Sequence, residues 1–297
     1  MSRSRKLIDA TIQANKVRSA GVGSLTLLVV YFVLRYFMRS VVVKPVQVIE
    51  GVAQRVGEGD LSVRAEVSSK DEIGSLALEI NKMVSGLRER FHLQKFVSRQ
   101  TFEAVQQADL SGVKLGGERR VATVFFSDIR GFTAYSERVP PERVVTMLNH
   151  CLSRQSLIVR KYGGDIDKYV GDELVAVFVG DGMAENAVNA AVEILREMRD
   201  GASIEEKDVI NVGIGINTGE MVMGAMGSEI RMDFTVIGDN VNLGARLCSV
   251  AKANQILVSD STAQYLKVKN NLRLRALEPM TVKGKQALLK VYEVEWS

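Results

Sequence analysis

Apolar and polar positions change their spacing from one segment of the chain to the next. Residues 20–34 form an uncharged, mostly apolar run, which Tyr36, Phe37 and Met38 extend past Arg35 to 19 residues with a single charge. That is close to the ~20 residues a helix needs to cross a bilayer. Between residues 41 and 90 the spacing becomes three-four: Val42, Pro45, Ile49, Val52 and Val56, a Gly-containing connector (VGEGDLSVRAEVSS), then Ile73, Leu76, Ile80, Met83 and Leu87. Two short heptad helices joined by an extended linker cannot bury their seams alone, so a parallel dimeric four-helix bundle is expected. Phe91 follows Leu87 by four, so two steps of four run together and shift the supercoil phase. Residues 87–106 (LRERFHLQKFVSRQTFEAVQ) then read as a helical transducer.

From residue 121 the pattern changes again. VATVFF is a short buried strand, and Pro140-Pro141-Glu142 opens a helix that runs to about Tyr162 and ends at Gly163-Gly164. DIDKYV and LVAVF flank Gly171-Asp172 as a hairpin, and a second helix covers residues 184–199. VINVGIGINTG is a further strand, MVMGAMGSEIRMDFTVIG a Gly-interrupted β excursion, and Asp239 is placed to cap a helix through about Ala251. Strands near residues 255–258, 272–277 and 288–294 complete the pattern. This order predicts an antiparallel sheet with helices on one face, an α+β fold of ferredoxin-like type.

Composition adds little to the fold and more to the setting. Apolar residues make up 46% and charged residues 25%, as in a globular protein with one hydrophobic insertion. Residues 1–44 hold eight Lys and Arg against Asp9 alone, so the overall +4 conceals a negative remainder. A basic end beside an apolar run fits a membrane surface and argues against nucleic acid as a partner. Basic residues lie on both sides of the run, so charge alone does not orient it. Cys151 and Cys248 match no metal or redox spacing and read as buried apolar residues. With only His92 and His150 present, a histidine-based triad or zinc site is not expected.

The candidate chemistry lies where strands meet turns. Asp128 and Asp172 both occupy such positions, and two carboxylates held this way can share a pair of hard divalent cations that bind phosphate oxygens. In DIDKYV, simple alternation puts Lys168 on the side of Ile166 and Val170, where a lysine requires a partner for its ammonium. Asn242 and Arg246 are four apart on one helix face near its N-terminus, a setting suited to phosphate. Thr235 lies on the strand entering that helix.

The stretches FFSDIRGFT, KYVGDELVAVF, TVIGDNVNLGARL and VKGK occur in the order found in the class III nucleotidyl cyclases, which residues 118–297 resemble. Residues 40–92, with Pro45 at the first helix and Asp71-Glu72-Ile73-Gly74 opening the second, resemble a HAMP signalling domain. The resemblance implies an α+β, ferredoxin-like cyclase catalytic domain. It implies that Asp128 and Asp172 bind two Mg²⁺ or Mn²⁺ ions, that Lys168 and Thr235 contact the purine, and that Asn242 and Arg246 stabilise the transition state. The backbone of Ile129, Gly131, Phe132 and Thr133 would cradle the terminal phosphates, and Lys283 would reach them.

In this family the metal aspartates of one subunit face the purine and transition-state residues of the other, which implies a homodimer with two shared sites. A lysine donor suits adenine N1, and a threonine acceptor suits the exocyclic amine, so ATP is the expected substrate and cyclic AMP with pyrophosphate the expected products. The expected organisation is a basic segment (1–18), a single transmembrane helix (19–39) in the inner or plasma membrane, the HAMP domain (40–92), a transducer (93–117) and a cytoplasmic catalytic domain (118–297). The alternatives are a guanylate cyclase or an inactive cyclase-like module. YGGDID shares Gly-Gly-Asp with diguanylate cyclases, but Ile-Asp follows in place of Glu-Phe, and the Asn242/Arg246 helix has no role there. Gly244, in a helix position where alanine is common, has no role in this reading.

Overall fold

The computed structural model describes residues 2–67, 69–107, 112–201, 210–266, 273–279 and 288–296. The chain divides into two compact units, Met1–Lys95 and Phe96–Ser297.

In the first unit, α1 (Ser2–Met38) passes through a π-helical turn (Arg39–Val43) into α2 (Lys44–Gly57), and α3 (Glu72–Leu93) follows an extended connector. Apolar side chains of α1 from Val22 to Met38 are exposed all round, and the helix is long and apolar enough to cross a membrane. Arg35 turns back along α1 and donates to Tyr31 Oη at 3.1 Å. The core between α2, the connector and α3 is small: Ile49, Val52, Val63, Ala65, Ala77 and Val84. Asn81 clamps the connector, donating to Ala65 O at 2.9 Å and accepting from its amide at 2.8 Å. Asp71 caps α3, accepting from the amides of Ile73 and Gly74. Gly74 has to be glycine, because a Cβ there would lie 1.9 Å from Ser69 O. Ala77 and Val84 face α2, while Leu76, Met83 and Leu87 of the expected seam remain exposed within one chain.

The transducer stretch is helical but interrupted. Beyond α3 comes a 3₁₀ turn (Gln94–Phe96), and a new helix, α4 (Arg99–Gln107), belongs to the second unit. Ser98 Oγ accepts from the Thr101 amide, and Asp165, distant in sequence, accepts from the amides of Arg99 and Gln100. The otherwise unpaired donors of the first turn of α4 are thereby satisfied.

The second unit is built on β1 (Gly116–Ile129), α5 (Phe132–Ser136), α6 (Pro141–Lys161), β2 (Asp165–Val170), β3 (Glu173–Phe178), α7 (Met183–Gly201), β4 (Val212–Gly227), β5 (Met232–Ile237), α8 (Asp239–Val250), β6 (Ile256–Ser259), α9 (Asp260–Leu266), β7 (Arg273–Ala276) and β8 (Val291–Glu295). The sheet order is β2-β3-β1-β4-β6-β8-β7, with β5 paired to β4. The β4–β6 pair is parallel and the others are antiparallel, so the sheet is mixed.

Alternation along the strands sorts the core into two layers. Phe125, Leu174, Ala176, Phe178, Ile214 and Ile216 point to the face covered by α6 and α7. Val124, Phe126, Val175, Val177 and Met221 point to the opposite face, where Cys248 of α8 packs. The expectation of helices on one face is therefore corrected, since α8 lies on the other. Its approach is close enough to exclude side chains. A Cβ on Gly215 of β4 would lie 2.1 Å from Cys248 N, and one on Gly244 of α8 would lie 2.9 Å from Val124 Cγ2. Gly244, for which the sequence offered no role, permits this contact. Asp239 does not cap α8: Gly238 holds the N-cap position without a side-chain bond, and Asp239 falls in the first turn.

Candidate active site

The edge of β1 next to the β2–β3 turn gathers carboxylates. Asp128 pairs in register with Glu173 of β3 on one side and Gly213 of β4 on the other. Asp172 sits in the turn after Gly171, whose φ of +63° favours glycine. It lies close enough to Asp128 for the two carboxyls to interact, and it accepts from the Ile129 amide. Burial first, and Asp128 second, push the Asp172 carboxyl up to about 6. Burial also pushes Glu173 up to about 7, helped by Asp128 and Asp172.

Arg130 is the cation set against this group. Its Nη1 donates to Asp128 Oδ2 at 2.6 Å, and Nη2 donates to the carbonyl of Cys248. The guanidinium lies over Gly213, where any Cβ would meet Nε at 2.3 Å. Three carboxylates thus face one guanidinium, a negative excess in an oxygen-only donor set that suits hard divalent cations. Among the described residues no group of three or more His, Cys, Asp or Glu side chains is arranged to hold a metal by itself. Neither Glu173 nor Arg130 was singled out from the sequence. The β1–β3 register places Glu173, and the missing side chain of Gly213, 83 positions from Arg130, makes room for the guanidinium.

The base-contact candidates meet at a second corner. Lys168 Nζ donates to Thr235 Oγ1 at 2.9 Å across 67 positions of sequence. Lys168 does not share a face with Ile166, as strict alternation predicts. Ile166 pairs with Ala176 and Lys168 with Val175, so Asp167 is an extra residue, a β-bulge. The bulge leaves Ile166 in the α6–α7 core and turns Lys168 to the opposite face, toward β5. Thr235 is buried there, on β5 opposite Gly224. Asp167 closes the group, accepting from Thr235 Oγ1 at 2.9 Å and lying 3.3 Å from Lys168 Nζ.

On α8, Asn242 is exposed and Arg246 half-buried, and neither side chain has a hydrogen-bonded or ionic partner among the described residues. The helix is anchored by its neighbour Asn240, which donates to Glu220 O at 2.8 Å and receives Asn217 Nδ2 on its carbonyl at 2.7 Å. After β1, the Ile129 amide is taken by Asp172 and the Arg130 amide by Asn211 O. The amides of Gly131, Phe132 and Thr133 have no backbone acceptor among the described residues. Lys283 lies outside the described residues. Both cysteines are free and buried, and burial pushes the Cys248 thiol up to about 12.

Comparison with known proteins gives this arrangement its relatives. The adenylate and guanylate cyclase catalytic-domain model matches residues 117–295, and the HAMP domain model matches residues 37–89. The chain is similar to an adenylate cyclase of Anabaena cylindrica, 32% identical over 301 residues that cover 95% of this chain and 60% of that protein. It spans about half the length of the curated relatives it matches. Among solved structures it is similar to the adenylyl cyclase CyaB from P. aeruginosa, at 36% identity and a TM-score of 0.56, covering 62% of this chain and 97% of that one. It is also similar to the guanylate cyclase domain of RhGC from Catenaria anguillulae in complex with GTP, at 30% identity and a TM-score of 0.55, covering 60% and 98%. The chain therefore belongs to the adenylate and guanylate cyclase catalytic-domain family, the class III nucleotidyl cyclases, and carries a HAMP domain behind an apolar N-terminal helix.

Proposed function

We propose that this chain is a membrane-anchored adenylate cyclase that converts ATP to 3′,5′-cyclic AMP and pyrophosphate at sites shared by two copies of itself. The observation that carries the base assignment is the Lys168–Thr235 hydrogen bond at 2.9 Å, because it joins the two residues expected to read the purine. An ammonium only donates and suits unprotonated adenine N1, whereas guanine carries a proton at N1 and would face it donor to donor.

Asp128 and Asp172 would hold two Mg²⁺ or Mn²⁺ ions. Bound there, such ions lower the pKa of the attacking hydroxyl and neutralise the triphosphate. Arg130 orients the Asp128 carboxylate, leaving its other oxygen for a cation. The amides of Gly131, Phe132 and Thr133, which have no backbone acceptor among the described residues, would donate to terminal phosphate oxygens, and Lys283 would reach the same group. Asn242 and Arg246, unpaired on a helix held rigidly to the sheet, would meet the charge that develops as the ribose 3′-oxygen attacks the α-phosphorus in line. These two, with Lys168 and Thr235, would serve the metal pair of the partner chain. The seam residues Leu76, Met83 and Leu87, exposed in one chain, support such pairing through the HAMP domain. α1 would anchor the protein as a single span with its catalytic domain in the cytoplasm.

The test incubates the purified full chain with ATP or GTP and Mg²⁺ or Mn²⁺ and separates the products. Cyclic AMP from ATP, lost in Asp128→Ala, is expected; cyclic GMP alone would replace this reading with a guanylate cyclase. Mixing Asp128→Ala with Asn242→Ala protein should restore activity, since a mixed dimer retains one intact shared site. No recovery in dimers shown to be mixed rules out sharing.

A further inference from the structure

The bulged residue of β2 belongs to neither the metal corner nor the base pair as read above. We propose that Asp167 is a specificity-determining positioning residue, whose buried carboxylate accepts the hydrogen bond of the Thr235 hydroxyl and leaves that hydroxyl able only to accept from the bound base. The inference rests on the reading of Lys168 and Thr235 as purine contacts and extends it to a residue that touches the base only through them.

Hydrogen-bond bookkeeping fixes the direction. A threonine hydroxyl offers one proton and two lone pairs, an ionised carboxylate only accepts, and an ammonium only donates. Thr235 Oγ1 lies 2.9 Å from Asp167 Oδ2 and 2.9 Å from Lys168 Nζ. The hydroxyl therefore donates its hydrogen bond to Asp167, one lone pair receives Lys168, and the remaining lone pair is what a ligand meets. At the corresponding position adenine presents an amine that donates, and guanine a carbonyl that only accepts. A hydroxyl held in this orientation pairs with the first and opposes the second. Without Asp167 the same hydroxyl could rotate and donate to a carbonyl, so threonine alone does not distinguish the bases.

The placement of Asp167 supports a role beyond balancing a charge. Its side chain is 5% exposed while that of Lys168 is 45% exposed. Burial pushes the carboxyl above its ordinary value, and Lys168 and Thr235 pull it back. A buried carboxylate is costly, and an exposed lysine does not require one. The bulge sets Asp167 and Lys168 side by side toward β5, a juxtaposition that regular alternation would prevent.

The experiment compares kcat/KM for ATP and GTP in the full chain and in Asp167→Asn, which keeps the shape but can donate to Thr235. The ATP-over-GTP ratio should fall about tenfold, the scale of one hydrogen bond. A rise in KM for ATP should exceed any fall in kcat. In a Thr235→Val background, Asp167→Asn should change the ratio no further, since the residue acts through that hydroxyl. A folded Asp167→Asn with the parent ratio overturns the proposal while leaving the ATP reading intact. A parent chain that makes cyclic GMP and no cyclic AMP overturns both. Should Asp167→Asn fail to fold, Asp167→Ala serves in its place. Should both fail, Thr235→Val alone must lower the ratio, and an unchanged ratio counts against the proposal.

Discussion

The two corners of the catalytic unit solve opposite electrostatic problems. At the metal corner, Asp128, Asp172 and Glu173 face one guanidinium, Arg130, so the charge is unbalanced without an added ligand. At the base corner, Asp167, Lys168 and Thr235 are hydrogen-bonded to one another, and the charges of Asp167 and Lys168 cancel. On the proposed reading the first corner would be completed by cations from outside, whereas the second is already hydrogen-bonded within the chain. The first arrangement suits the proposed binding and release of cations and pyrophosphate. The second suits the proposed discrimination between purines, because rigid donors and acceptors leave a wrong base with unpaired groups.

The largest expected effect tests the unbalanced corner. Asp128→Ala or Asp172→Ala should lower kcat by at least about 100-fold, given that losing even an outer-shell partner of a metal site costs 10–100-fold. Isothermal titration should show weaker Mn²⁺ binding in both variants. Arg246→Ala should cost about 10²–10³-fold in kcat, the range for one preorganised transition-state donor. It should leave Mn²⁺ binding unchanged, and a parallel loss of Mn²⁺ affinity would count against the separation of roles.

The same comparison predicts a pH signature. Asp172 and Glu173 have folded-state pKa values raised to about 6 and about 7, so each binds its proton more tightly in the folded than in the unfolded chain. Their contribution to stability is present below the ordinary carboxylate range and is lost as pH rises through those values. Thermal melts without divalent cations should show this fall, Mg²⁺ or Mn²⁺ should oppose it, and Asp172→Asn should flatten it. A parent curve that Asp172→Asn leaves unchanged breaks the argument.

Smaller effects concern the frame. Gly215→Ala pushes a methyl into the backbone of α8 and should destabilise by about 1–3 kcal/mol or more, read by urea unfolding. Asp165→Ala removes the acceptor for two amides of α4 and should cost about 1 kcal/mol, as loss of a helix cap does.

Several features were legible because they are local. The long apolar run, the three-four spacing of residues 42–87, the Gly171-Asp172 turn and the helix opened by Pro140-Pro141 depend on neighbours close in sequence. The β2–β3 hairpin was also legible, but the side of Lys168 was not. Strict alternation put it with Ile166, and one bulged residue reversed it. A bulge is a property of two strands in register, invisible in either alone. Asp239 looked like a helix cap, yet the chain enters α8 from β5 with Gly238 at that position. Gly244 had no role in the sequence reading, and together with Gly215, which was not singled out, it proves to be the contact that seats α8 on the sheet.

By itself, then, the sequence determined the kinds of elements, their order and the residue types that bear chemistry, because propensity, periodicity and turn formation act over a few residues. It also offered the candidate pairs Asp128 with Asp172 and Asn242 with Arg246, whose proposed roles come from the family resemblance. Only the tertiary structure decided that Lys168 meets Thr235, that Asp167 is bulged between them and the core, and that Glu173 and Arg130 join Asp128. Those contacts depend on strand register and on helix-to-sheet distance. Both are set by packing between segments tens of residues apart, where a shift of one position would turn a side chain to the other face.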